Sequence, residues 1–113
     1  MRLDAVKGHL DLLLLSIIAR QPAHGYAVIA EMREQTDGVL ELTEGAVYPA
    51  LHRLESQGLL DSEWCSVAGR RRRLYRLTAS GRHALGRENA EWITLSSAIS
   101  TVLRSTTRAV PAL

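Results

Sequence analysis

A chain of 113 residues with one cysteine and no phenylalanine must build one modest core from Leu, Val, Ile and Ala, without an internal disulfide or a multi-cysteine metal site. The net charge of +2 says little by itself, and no apolar run approaches the ~20 residues that cross a bilayer, so no membrane role is expected. A lone thiol, Cys65, and no visible signal peptide fit a reducing, cytoplasmic location.

The first helix is expected from Leu3 or Val6 to Ala19, with Pro22 marking its end. Its run Leu12–Leu15, Ile17, Ile18 is apolar on more than one side, as in a buried helix. A second helix is expected from His24 to about Gln35, with Ala27, Val28, Ile29 and Met32 inward and Asp37-Gly38 turning the chain. Val39–Leu42 then links to a third helix from Glu44 to about Gln57. Thr43 is its expected N-cap and Gly58 its left-handed C′ residue. Val47, Ala50, Leu51 and Leu54 share one face of that helix. Gly45, Tyr48, Pro49, His52 and Ser56 fall on the other. Pro49 lies past the first turn and removes one backbone hydrogen bond, so a tolerated local distortion is expected there.

A hairpin follows, with strands over Leu59–Val67 and Arg71–Leu77 around Ala68-Gly69-Arg70. Leu60, Trp64, Leu74, Tyr75 and Leu77 are expected to anchor it to the helices. Thr78 caps a fourth helix from Ala79 to about Arg104, and Gly81 and Gly86 weaken its start. Leu85, Trp92, Leu95, Ile99 and Val102 recur along it at coiled-coil spacing, with Ile93 and Leu103 flanking. The fold class is therefore mainly α with a small β-hairpin. Residues 1–78 form a winged helix-turn-helix, residues 79–106 a long dimerisation helix, and residues 107–113 a frayed tail.

Charge is unevenly spread. Residues 1–67 hold five Lys/Arg against ten Asp/Glu, whereas Trp64 to Arg87 holds seven arginines and no acid. Such a block is an electrostatic footprint for a polyanion. A helix with an exposed polar face fits the major groove, and a basic hairpin beside it neutralises phosphates and fixes register. The expected DNA-contacting set on the third helix is Thr43, Glu44, Gly45, Tyr48, Pro49, His52 and Arg53. In the wing it is Arg70, Arg71, Arg72 and Arg73, of which a regular strand points only about two at DNA together. Tyr48 reads either as a DNA contact or as packing against the helix-turn-helix core. His24, Gly25 and Tyr26 either simply open the second helix or place its N-terminal N–H groups on a phosphate.

These residues carry a resemblance. Tyr48-Pro49-Ala50-Leu51-His52-Arg53-Leu54-Glu55 followed by Gly58-Leu59-Leu60 resembles the signature of PadR-type transcriptional regulators. So do His24-Gly25-Tyr26, Trp64, Arg71-Arg72-Arg73 with Tyr75, and Leu77-Thr78 with Gly81-Arg82. The single C-terminal helix is similar to the family's short subfamily. The resemblance implies a homodimer on a near-palindromic double-stranded operator, usually a repressor, often released by a small molecule. It also implies a second reading of Trp92. A two-fold axis brings two copies together, either as dimer core or as a sandwich for a small, flat aromatic effector.

Other classes fare worse. No glycine-rich phosphate loop, nucleophile elbow or metal-spaced histidine set occurs, so no enzyme, cofactor or metal is expected. The alternatives are a dimeric planar-drug-binding protein with a secondary DNA role and a winged-helix protein-interaction module. The basic wing argues against the module.

Overall fold

The computed structural model describes residues 6–109. The expected helix start at Leu3 and the tail residues 110–113 lie outside them. A 3₁₀ turn, Lys7–His9, leads into α1, Leu10–Arg20. No side chain caps either start, and the first helix therefore opens as a 3₁₀ turn in place of a full α-turn. Leu14, Leu15, Ile17 and Ile18 of α1 are buried at the centre of the core.

Helix α2, Gly25–Gln35, buries Val28 and Met32 one turn apart, with Ile29 packed beside them. Ala27 was expected inward but is exposed, because it falls a hundred degrees from Val28 around the helix. Thr36 closes α2: its hydroxyl donates to the Met32 carbonyl at 2.9 Å and accepts from Leu40 N–H at 3.0 Å. Leu42 then plugs the linker into the core.

Helix α3, Glu44–Ser56, starts where Thr43 Oγ1 accepts from Ala46 N–H at 3.3 Å. It runs unbroken past Pro49 and buries Val47, Ala50, Leu51 and Leu54. It ends in a Schellman motif. Gly58, at φ 77°, donates to Glu55 O at 2.9 Å, and Leu59 donates to Leu54 O at 3.0 Å.

Strands β1, Leu60–Val67, and β2, Arg70–Leu77, form one antiparallel hairpin in register Leu60↔Leu77 through Val67↔Arg70. The turn is two residues, Ala68-Gly69, both at positive φ, so Arg70 is already a strand residue and not part of the turn. One hairpin face carries Leu60, Ser62 and Trp64 against Leu77, Tyr75 and Arg73. At the root this face is core: Leu60 and Tyr75 are 1% exposed. Trp64 does not anchor the hairpin to the helices as expected. It is 56% exposed, because by that point the strands have passed the end of the core.

The hairpin is tied to the segment just before α2 by a second, very short strand pairing. Ala23 N–H donates to Tyr75 O at 3.0 Å, and Tyr75 N–H donates to Ala23 O at 2.9 Å. Helix α4, Ala79–Ala109, begins where Gly81 N–H donates to Thr78 Oγ1 at 3.0 Å and runs past the expected end at Arg104. Gly81 is a packing requirement and not merely a weak helix former. A β-carbon there would collide with the Leu59 carbonyl oxygen. At 1.5 Å per residue α4 is about 46 Å long. It gives the molecule extents of 59 × 28 × 20 Å, a head with one projecting arm.

Candidate nucleic-acid interface

Three elements meet at a cleft of about 310 Å³ on the head. Tyr48 and His52 come from α3, His24 and Gly25 from the start of α2, and Trp64, Arg71, Arg72, Arg73 and Tyr75 from the hairpin. The sequence therefore placed in three separate stretches what the fold brings to one wall. The elements are locked together locally. The Tyr48 ring lies so close to Gly25 that a β-carbon there would stand 2.6 Å from its Cε1. His24 Nδ1 donates to the Arg73 carbonyl at 3.3 Å, which fixes the proton on that nitrogen. Tyr48 is half-buried, so packing and a free hydroxyl edge are both features of the same residue.

The remaining α3 candidates Thr43, Glu44, Gly45, Pro49 and His52 are exposed, and nothing lies within 4 Å of a β-carbon at Gly45. Tyr26 is 56% exposed, one residue into α2 from Gly25. Arg53 is different. Its Nη1 donates to Asp11 Oδ2 at 3.1 Å and its Nη2 to the other carboxylate oxygen, so it faces α1. That hydrogen bond, ahead of the charge attraction, raises the Arg53 pKa above its ordinary value. The bidentate pair orients α3 on the head.

The arginines of β2 divide by strand face. Arg71 and Arg73 share the face of Trp64, with guanidinium carbons 5.0 and 5.2 Å from its ring centroid. Arg70 and Arg72 pair with Val67 and Cys65 on the other face. Arg76 is neutralised, 2.9 Å from Glu63 and 3.5 Å from Asp61. Its hydrogen bond holds the Glu63 carboxyl below the usual carboxylate range. Arg73 also has an acid partner, Glu55 at 3.6 Å, and its Nε donates to Ser62 Oγ at 2.7 Å. Beneath them the Tyr75 hydroxyl is pushed above its ordinary pKa, chiefly by burial and then by the negative charge of Glu55. Sequence reading missed Glu55, Ser62 and Asp11. The antiparallel register was the signal for Ser62, since it places that residue opposite Tyr75 and next to Arg73. No sequence pattern pointed to Asp11.

The arm presents a second surface. Trp92, Ile93, Leu95, Ile99, Val102 and Leu103 are 40%, 54%, 46%, 47%, 64% and 56% exposed. Leu85, expected in the same seam, instead packs against the head's own core. Trp92 makes an edge contact with His9, their ring centroids 4.9 Å apart. Among the described residues no His, Cys, Asp and Glu group has the arrangement of a metal site. No described helix is long and apolar enough to cross a membrane.

The family model for PadR-like transcriptional regulators matches residues 14–87, which takes in most of α1, then α2, α3, the hairpin and the start of α4. The chain belongs to the PadR-like family. This is a family of transcriptional regulators, not of enzymes. A transcriptional regulator of Mycobacterium tuberculosis is 57% identical over 44 residues, 39% of this chain and 41% of its own length. Among solved structures, a transcriptional regulator from Clostridium thermocellum superposes with a TM-score of 0.80 at 28% identity, covering 87% of this chain and 96% of that one. A PadR family regulator from Eggerthella lenta gives 0.78 at 35% identity, covering 89% and 87%. The PadR-like winged helix with its long last helix is thus the fold of this chain.

Proposed function

We propose that this PadR-like regulator is a cytoplasmic homodimer that binds a near-palindromic double-stranded operator and represses transcription until a small aromatic effector releases it. One observation carries the DNA reading: α3 and the arginine face of the wing line a single cleft. Major-groove contact falls to Thr43, Glu44, Gly45, Tyr48, Pro49 and His52, and phosphate contact to the wing. The start of α2, from His24 to Tyr26, adds backbone N–H groups at the same wall. Arg53 holds the reading helix through Asp11 in the free protein and reaches a phosphate only by leaving that pair.

The dimer reading is supported by the exposed apolar row of α4, which a second copy covers by two-fold symmetry. Trp92 then lies near the axis, where a flat effector stacks. Repression and release are the activities that the family resemblance implies.

The test is fluorescence anisotropy with duplex DNA from upstream of the protein's own gene, against scrambled DNA of equal length. Tighter binding to the upstream duplex is expected. Equal affinity for both would sink sequence-specific regulation. For the effector, planar aromatic compounds should quench tryptophan emission in the native protein and fail to do so in Trp92→Ala. No quenching across a varied panel would leave Trp92 as a packing residue.

A further inference from the structure

Of the three wing arginines that line the cleft, Arg71 and Arg73 share the face of Trp64, and they are held in opposite ways. Arg73 is held through its Nε, its Nη2 and its carbonyl. Its Nε donates to Ser62 Oγ at 2.7 Å, and that hydroxyl donates to Glu55 Oε2 at 2.6 Å. Its Nη2 stands 3.6 Å from the same carboxylate, and its carbonyl accepts from His24. Its charge is paired with Glu55, in a relay that joins β2 to β1 and to α3. Arg71 is exposed and has no acidic partner among the described residues. The contact that the structure gives its guanidinium is the Trp64 ring, at 5.0 Å.

Trp64 is itself unusual. A tryptophan 56% exposed is a large apolar surface left in water, on a strand that had buried positions available at its root. Its indole offers a π-face to both guanidinium groups. A cation over a ring is attracted by the ring's quadrupole, and a planar guanidinium stacked there loses less freedom when it binds. A stacked guanidinium also keeps its edge N–H donors free, and phosphate oxygens accept from those.

We propose that Arg71 is the wing's phosphate-binding arginine, that Trp64 is the residue that positions it, and that Arg73 is a brace between hairpin and reading helix rather than a DNA contact. This rests on the DNA-binding reading above. It gives the two arginines on the Trp64 face different roles, one a hand that rests on the indole and one a strut.

The experiment is a salt titration of operator binding with the full chain. Arg71→Ala should weaken binding about tenfold or more, the size of one charge-assisted contact. It should also flatten the slope of log K against log salt by about 0.9 for each protomer bound. Trp64→Leu, which keeps apolar bulk and removes the ring, should weaken binding about fivefold. That loss should vanish when Arg71 is already Ala. Trp64→Tyr should restore most of the affinity. A merely structural role for Trp64 would move the thermal midpoint but would not couple to Arg71. Arg73→Ala should lower the midpoint and leave the salt slope unchanged.

An equal slope change in Arg73→Ala, or additive losses from Trp64→Leu and Arg71→Ala, would overturn the proposal while leaving DNA binding intact. Failure of the native protein to bind any duplex would instead overturn the DNA reading and this proposal with it.

Discussion

The head and the arm use the same residue types to opposite ends. In the head, Leu14, Leu51, Leu54 and Leu60 are at most 1% exposed, and Arg53, Arg73 and Arg76 are paired with acids at the surface. In the arm, Leu95, Ile99 and Val102 lie between 46% and 64% exposed. The head has finished its folding problem within one chain; the arm has not. A surface of scattered apolar residues needs no explanation, but a row at seven-residue spacing does. The difference teaches where to look for each activity. On the proposed function, a charged ligand is read where polar groups are pre-arranged, and a second copy is met where apolar groups are left over.

Substitutions can break this contrast, beginning with the strongest. Leu51→Ala in the head should lower stability by about 2–5 kcal/mol, the range for an emptied core site, seen as a fall in thermal midpoint. Ile99→Asp in the arm should leave the head folded by circular dichroism and give a monomer by sedimentation, because the charge is buried only in the pair. A dimer that survives Ile99→Asp means that the arm is not the interface. Gly81→Ala should cost about 1–3 kcal/mol, since the methyl group meets backbone and the arm's root must shift. Thr43→Ala should cost about 1 kcal/mol through the lost cap and weaken the start of the reading helix.

Alkaline pH sharpens the comparison further. The raised pKa of Tyr75 means that the folded head holds this proton more tightly than the unfolded chain does. Its contribution is complete below the ordinary tyrosine pKa of 10.0 and is lost as pH rises through the higher folded value. A melting series should show stability falling above about pH 10, less so in Tyr75→Phe. The arm has no buried tyrosine, so its association should not follow this titration.

Much of this division was legible in the residues. Thr43, Gly58 and Thr78 marked helix ends because caps and left-handed turns need those residue types locally. The a/d spacing from Trp92 to Val102 announced an exposed apolar stripe for the same local reason. Trp64 was misread because hydrophobicity says that a residue prefers burial, not how far the core extends beneath a strand. Leu85 was assigned to the seam because the heptad continues through it, while the head wraps that first stretch of α4. The Arg53–Asp11 contact joins residues 42 apart in the chain and the Arg73–Ser62–Glu55 relay joins the hairpin to α3, so neither whole contact is encoded by a local pattern. The arginine run announced a polyanion partner, but only the strand register could sort Arg71 and Arg73 from Arg70 and Arg72.

The central claim is that two heads, joined by two arms, read one operator. The most direct measurement is the stoichiometry and salt slope of binding to a palindromic operator compared with its isolated half-site. The account predicts two protomers per operator and half-sites about one helical turn, ~34 Å, apart. It also predicts a slope of about −0.9 per phosphate neutralised, roughly halved on the half-site if one head engages it. One protomer per operator, or affinity indifferent to salt, would contradict it.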